Sequence, residues 1–314
     1  MILAAGLSPA WQQTVVLDEL KVGEVNRARE VHWCASGKVL NVGLAASAIT
    51  GSAVPKVLTL SPVGGETGEA IRRDFRALGA PARWVHSDSP TRVCTTILDR
   101  SAGVVTELVE NAHPVRSSDI SRFREAYREE SRGASVIILS GSLPEGAPDW
   151  LYHELMIESS AQVILDCQGP PLLAALEARP FLVKPNRDEL GRTLGQELLT
   201  DSDLFAAMRE LNNRGAEWVV VSQGKERVWI SSRERLLSAI PPAVEAVNPI
   251  GSGDSLAAGI AVALADGYDL PGAVVWGVAA AAENARSLLP ARFAAPSVHQ
   301  LRNRITIEEH ERRT

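Results

Sequence analysis

The stretch Asn248-Pro249-Ile250-Gly251-Ser252-Gly253-Asp254-Ser255-Leu256-Ala257-Ala258-Gly259 brings together the groups that phosphoryl transfer needs. Pro249 favours a turn and donates no backbone hydrogen bond. Gly251 and Gly253 let a ligand approach the main chain. From Ser255 the residues are rich in Ala and Leu, so the turn feeds a helix. Such a helix start aims unpaired N–H groups and the positive end of its dipole at whatever lies above it, which makes an anion site. Asp254 would repel a phosphate if binding were its sole purpose. It makes sense as a base that takes a proton from a hydroxyl attacking phosphorus, with Gly251, Ser252 and Gly253 offering amides to the migrating group. A Gly-x-Gly turn with a capping Asp is also an ordinary helix start, so the local pattern leaves both readings open.

Other chemistries lack their residues. A dinucleotide fingerprint needs a third glycine where Leu256 stands, and it belongs after the first strand. A P-loop needs Gly-Lys before Ser or Thr, but Gly37-Lys38 precedes Val39 and Gly224-Lys225 precedes Glu226. There is no His-Glu-x-x-His pattern and no Gly-x-Ser-x-Gly elbow. The net charge of −6 carries no basic stripe, which argues against nucleic acid and acidic membranes as partners. The three cysteines, Cys34, Cys94 and Cys167, have neither disulfide nor metal spacing and read as reduced thiols of a cytoplasmic protein. The first residues lack the basic and apolar regions of a signal peptide. The apolar run from 257 to 282 is broken by Asp266, Asp269 and Pro271 and reads as a buried helix pair, not a membrane span.

The 248–259 stretch closely resembles the C-terminal signature of the PfkB (ribokinase-like) sugar kinases, in the form found in their 1-phosphofructokinase and tagatose-6-phosphate kinase branch. Ala35-Ser36-Gly37-Lys38-Val39-Leu40-Asn41 resembles the family's Gly-Gly-Lys-Gly-x-Asn sugar turn, matching at Gly37, Lys38 and Asn41, with Ser36 and Val39 in place of glycines. Lys184-Pro185-Asn186-Arg187-Asp188-Glu189 resembles the family's Asn-x-x-Glu motif, and Ser222-Gln223-Gly224 its nucleotide-phosphate turn. The resemblance implies an ATP-dependent kinase acting on a hydroxyl of a phosphorylated ketohexose, of the fructose 1-phosphate or tagatose 6-phosphate type. It casts Asp254 as base and Gln12, Ser36, Gly37, Lys38, Asn41 and Arg92 as acceptor-binding residues. Lys38 and Arg92 would hold the acceptor's own phosphate. It casts Lys184, Asn186, Ser222, Gly224 and Asn284 as ATP-binding residues, Asn284 near the adenine. Asn186 and Glu189 would meet Mg²⁺ through water. Gln12 stands where the family usually has Asp, so an amide replaces a carboxylate against the sugar. An unphosphorylated sugar or nucleoside acceptor, or a binding protein that lost catalysis, remain alternatives.

The elements that must position these residues alternate. Apolar runs at 2–6, 57–60, 135–139, 163–166, 181–184 and 218–222 read as buried strands. Helical segments lie between them, so the expected fold is α/β, a three-layer ribokinase-like (Rossmann-like) core with a mainly parallel sheet. Ligands of such folds sit beyond the carboxyl ends of the strands, where most residues named above fall. Residues 14–17, 25–34, 84–86, 93–98 and 104–109 read as a small β lid. The expected division is a core of 1–10, 35–82 and 113–314 and a lid of 11–34 and 83–112. Segments 228–230 and 236–240 form a hairpin-like pair, and the last helices span about 272–288 and 298–307. Exposed strand edges on the lid suggest a homodimer.

Overall fold

The computed structural model describes residues 1–51 and 57–312; positions 52–56 and 313–314 of the expected core segments lie outside the described residues. The strands are β1 (Ile2–Ala5), β2 (Ala10–Leu17), β3 (Glu30–Ser36), β4 (Val57–Val63), β5 (Ala82–His86), β6 (Val93–Asp99) and β7 (Val104–Val109) in the first part of the chain. The second part adds β8 (Val136–Ser140), β9 (Gln162–Asp166), β10 (Leu182–Val183), β11 (Trp218–Val221), β12 (Val228–Ser231), β13 (Arg235–Ile240) and β14 (Thr306–Arg312). The helices are α1 (Lys38–Thr50), α2 (Gly65–Ala77), α3 (Ser117–Ser131), α4 (Leu151–Ile157) and α5 (Pro170–Ala175). They continue with α6 (Arg187–Leu194), α7 (Asp201–Arg214), α8 (Ser252–Ala265), α9 (Leu270–Ala285) and α10 (Ala295–Arg302).

Ten strands form the main sheet in the order β14-β13-β12-β11-β10-β9-β8-β1-β4-β5. From β11 to β5 every pairing is parallel, whereas β12, β13 and β14 add antiparallel strands at one edge. The central strands are apolar on both sides because helices cover both faces. In β1, Ile2 and Ala4 join one core cluster while Leu3 and Ala5 join the other. The chain runs outward from β1 through β4 and β5, then resumes on the other side at β8. That reversal opens a crevice beyond the carboxyl ends of the strands. The second sheet, β3-β2-β6-β7, stands over this crevice.

Helices α8 and α9 meet closely: a Cβ on Gly259 would stand 2.7 Å from the Gly277 backbone. This contact fixes the angle at which the start of α8 enters the crevice. Among the described residues no helix is long and apolar enough to cross a membrane.

Three expectations need correction. The segment at 84–86, assigned to the lid, lies in β5 and pairs in parallel with β4 in the main sheet. Trp84 packs edge-on against Phe75 of α2, with ring centroids 5.0 Å apart, which anchors the strand to the core. The expected strand at 25–34 begins only at Glu30, because the Asn26 side chain bonds both the N–H and the C=O of Lys21 and folds the preceding residues into a loop. The expected helix at 298–307 ends at Arg302, and residues 306–312 form edge strand β14. Its three acids meet arginines: Glu309 pairs with Arg235 at 2.8 Å, Glu308 with Arg227 and Glu311 with Arg209.

Candidate active site

Gly251 opens α8 in the left-handed region, φ 82, where only glycine is unstrained. A Cβ there would also meet Pro290 at 2.7 Å. The turn leaves the Gly251 and Gly253 amides without an acceptor among the described residues, while the Ser252 amide donates to the Pro249 carbonyl at 3.1 Å. The expected trio of free amides therefore lacks Ser252. Lys184 at the end of β10 lies against this turn, its Nζ 3.6 Å from where a Gly253 Cβ would stand.

Asp254, in the first turn of α8, is 6% exposed. Asn41 of α1 donates from Nδ2 to its Oδ2 at 2.7 Å. Asn41 is itself steadied by the Ser36 hydroxyl, which donates to Asn41 Oδ1 at 3.1 Å. Burial pushes the Asp254 carboxyl up to about 6, and the neighbouring Asp166 charge adds to the rise. Lys38, the Asn41 hydrogen bond and Lys184 oppose it. A carboxylate in this range is still ionised at neutral pH yet basic enough to accept a proton.

Below it lies a group of four charges. Lys38 Nζ meets Asp166 Oδ1 at 3.1 Å and Glu189 Oε1 at 2.9 Å. Lys184 Nζ meets Asp166 Oδ2 at 3.3 Å. Burial pushes the Asp166 carboxyl up, but Lys184 and Lys38 outweigh it and hold the group below the usual carboxylate range. Burial pulls the Lys38 ammonium down, but Asp166, Glu189 and Asp254 together hold it above its ordinary value. Asp166 is the residue that sequence reasoning passed over. An acid at the carboxyl end of a buried apolar strand was the available signal.

A cavity of about 590 Å³ joins these parts. Gln12, Cys94, Glu107 and Val109 line it from the small sheet. Gly141, Ser142, Lys184, Asn186, Glu189 and Ser222 line it from the core, facing Gly251, Gly253 and Asp254. Ser36, Gly37, Lys38, Asn41 and Arg92 line it too. Gln12 Nε2 donates to Thr96 Oγ1 at 2.8 Å. Asn186 and Glu189 form a reciprocal cap on α6: Asn186 Oδ1 accepts from the Glu189 amide at 2.7 Å, and Glu189 Oε2 from the Asn186 amide at 3.0 Å.

Four of the expected site residues have contacts or positions that bear on their roles. Lys38 has two carboxylate partners, which place it in the charge group beneath Asp254. Arg92 donates to three backbone carbonyls, from Nε to Pro9 at 3.3 Å, from Nη2 to Ser8 at 3.1 Å and from Nη1 to Glu110 at 3.0 Å. It ties the small sheet to the β1–β2 connection. Asn284 is wholly buried and outside the cavity lining. Its Nδ2 donates to the Ile250 carbonyl at 2.9 Å and to Ser252 Oγ at 3.1 Å, and its Oδ1 accepts from the Ala291 amide at 2.7 Å. Its amide is spent on holding the turn. Gly224 does not line the cavity, whereas Ser222 does, through a bridge to Asn186.

Among the described residues no cluster of three His, Cys, Asp or Glu side chains could enclose a metal. Each oxygen of Glu189 has a protein partner, and a hard cation that met this residue through its own water would leave both bonds in place.

A buried carboxylate beside unbonded helix-start amides, at the carboxyl ends of parallel strands, is an arrangement able to take a proton from a hydroxyl and hold an anionic group. The chain belongs to the pfkB family of carbohydrate kinases, whose profile matches residues 11–292. It superposes on a possible 1-phosphofructokinase from Thermotoga maritima with a TM-score of 0.89 at 21% identity, covering 99% of this chain and 100% of that one. Phosphofructokinase-2 from Escherichia coli in complex with fructose-6-phosphate gives 0.85 at 25% identity, over 97% and 99% of the two chains. Ribokinase from Thermotoga maritima gives 0.76 at 18% identity, over 96% and 99%.

Proposed function

We propose that this carbohydrate kinase transfers the γ-phosphoryl group of ATP to a hydroxyl of a phosphorylated ketohexose, of the fructose 1-phosphate or tagatose 6-phosphate type. The observation that carries the reading is the pairing of Asp254 with the unpaired Gly251 and Gly253 amides at one wall of one cavity. Asp254 removes the acceptor's proton as the acceptor oxygen bonds to the γ-phosphorus. The bond from that phosphorus to the bridging oxygen breaks, and ADP leaves with the electron pair. The helix-start amides and Lys184 offset the charge on the moving group. Magnesium, carried by the triphosphate, would neutralise phosphate charge, with Asn186 and Glu189 bonding its water. The small sheet keeps bulk water from the γ-phosphate.

The relatives support a sugar phosphate as acceptor, because a phosphofructokinase-2 was solved with fructose-6-phosphate. Arg192, which also lines the cavity, favours the same class. A second reading, an unphosphorylated sugar, is favoured by the engagement of Lys38 with carboxylates and of Arg92 with carbonyls. The deciding experiment measures ADP release with ketohexose phosphates and the matching free sugars. A preference of kcat/KM for the phosphorylated members by on the order of 10²-fold supports the first reading. Equal or better turnover of free sugars establishes the second. ATP turnover with none of them would defeat both.

The outer face of the small sheet presents Val31, Trp33, Val104 and Leu108, each 45–57% exposed, with Trp11 stacked on Trp33. This face, more than the strand edges, supports a homodimer through the lid. Light scattering of wild type against Trp33→Glu checks it; a wild-type monomer would end that part of the reading. The three cysteines are buried and unpaired, which suits a cytoplasmic enzyme.

A further inference from the structure

Asp74 and Arg292 lie outside the cavity lining and touch none of the groups that would react. They nonetheless sit where the two halves of the site join. Asp74, near the end of α2, accepts two bonds on one oxygen: the Ala35 amide donates to Oδ2 at 2.7 Å, and Arg292 Nη2 donates to the same atom at 2.7 Å. Ala35 lies in β3, at the point where the small sheet returns to the core. The next residues are Ser36, which steadies Asn41, and Gly37 and Lys38, which open α1.

Arg292 belongs to the segment after α9 that supports the opposite half. The Leu288 carbonyl accepts from Asn248 Nδ2 at 2.9 Å. Pro290 stands against Gly251. Ala291 adopts φ 56 and donates its amide to Asn284 Oδ1 at 2.7 Å, and Asn284 in turn holds Ile250 and Ser252. A non-glycine residue at positive φ costs about 1 kcal/mol or more and persists only where surrounding contacts impose it. Among the described residues Asp74 is the one carboxylate that Arg292 meets, and it anchors the segment's far end.

We propose that the Asp74–Arg292 ion pair is a positioning element of the active site. It clamps the Ala35–Asn41 turn, on the acceptor side, to the Pro249–Asp254 turn, on the phosphoryl side, from behind. Both sides of the base's setting then depend on it: Asn41 arrives on one turn, and Asp254 with the free amides arrives on the other. The pair is only partly buried, with side chains 23% and 18% exposed, so its effect is expected in geometry more than in global stability. The inference rests on the kinase reading for its consequence in catalysis, but not for its structural content.

The test uses the full chain with Arg292→Met, which keeps the aliphatic stem and removes the charge. Asp74→Asn is the second variant, because it keeps an acceptor for the Ala35 amide and weakens the tie to Arg292. Amide hydrogen exchange, which needs no substrate, reads the clamp directly. In both folded variants, exchange should quicken in residues 35–41 and 249–254 together. In kinetics, kcat should fall on the order of 10-fold to 10²-fold, with KM for ATP little moved. The acid limb of kcat/KM should rise as Asn41 and Lys38, both carried on the loosened turn, weaken their hold on ionised Asp254, while Asp166 and Lys184 lie on elements the pair does not touch. Exchange that quickens only beside the substituted residue, in either variant, overturns the proposal. So does an unchanged acid limb with unchanged kcat. A wild type that phosphorylates no sugar sinks the kinase reading instead, and the exchange result still decides the clamp.

Discussion

Asn41 Nδ2 lies 2.7 Å from Asp254 Oδ2, joining residues 213 positions apart. The donor bonds the ionised acid more strongly than the neutral one, so the bond favours the charged form against a burial that disfavours it. Hydrogen bonds to charged groups contribute about 1.5–3 kcal/mol. Asn41→Ala should therefore move the acid limb of kcat/KM up from near 6 by roughly one pH unit or more. Rates measured in buffers from acid to neutral give the limb directly, and a limb that stays put would show that Asn41 does not act on Asp254.

Replacing Asp254 by Asn should lower kcat by about 10²–10⁴-fold, the range for a general base. The same change should stabilise the protein in a defined pH window. The folded carboxyl sits at about 6 against an ordinary 3.8. Its raised value means that the unfolded chain gives up the proton more readily, so ionisation subtracts stability as pH rises from near 4 to 6, and the full penalty persists above that. Thermal melts should show a higher Tm for the variant at about pH 8 and a vanishing difference at about pH 4. A variant that melts lower at the higher pH would contradict the sign.

How far the site could be read without coordinates depended on whether a signal was local. Gly251 to Asp254 announces itself because turn, helix start and acid are consecutive. The buried strands β1, β8 and β9 were legible as short apolar runs, because helices cover both faces. The carboxylate partners of Lys38 were not legible, because Asp166 and Glu189 come from other elements, 128 and 151 residues away. The bonds of Asn284 were hidden for the same reason: a polar residue near the site could face the cavity or brace its wall, and only packing shows its partners. β5 was given to the wrong sheet because a half-buried strand carries the same pattern whichever edge it joins. β14 was hidden because its acid-rich run looks like the wet face of a helix until the arginines of other elements are seen beside it.

Lys38→Met should separate the two roles considered for this lysine. If Lys38 held only an acceptor phosphate, its loss would raise KM for phosphorylated acceptors and leave stability alone. The structure predicts a different outcome, because Asp166 is wholly buried and would keep one lysine where it now has two. Stability should fall by roughly 1–3 kcal/mol, less than for a fully buried pair because about a third of the Lys38 side chain is exposed. The acid limb of kcat/KM should also rise, since Lys38 is the leading charge that favours ionised Asp254. Urea unfolding and a pH profile measure both, and a stable variant with a changed KM alone would restore the phosphate role.

Asn284→Ala tests whether this residue binds the nucleotide or braces the turn. In the wild type its side-chain amide satisfies the Ile250 carbonyl and the Ala291 amide at once. The smaller side chain leaves both without that partner in a buried place, so the turn before α8 relaxes and the Gly251 and Gly253 amides lose their aim. Transition-state contacts suffer more from such displacement than ground-state binding does. The expected result is a kcat lower by about 10-fold to 10²-fold, KM for ATP nearly constant, and the preference for ATP over GTP intact. A contact to adenine would give the opposite pattern: KM for ATP rises, discrimination against GTP is lost, and kcat holds at saturation. Steady-state kinetics with both nucleotides distinguishes the two, and the second pattern would return Asn284 to the nucleotide pocket.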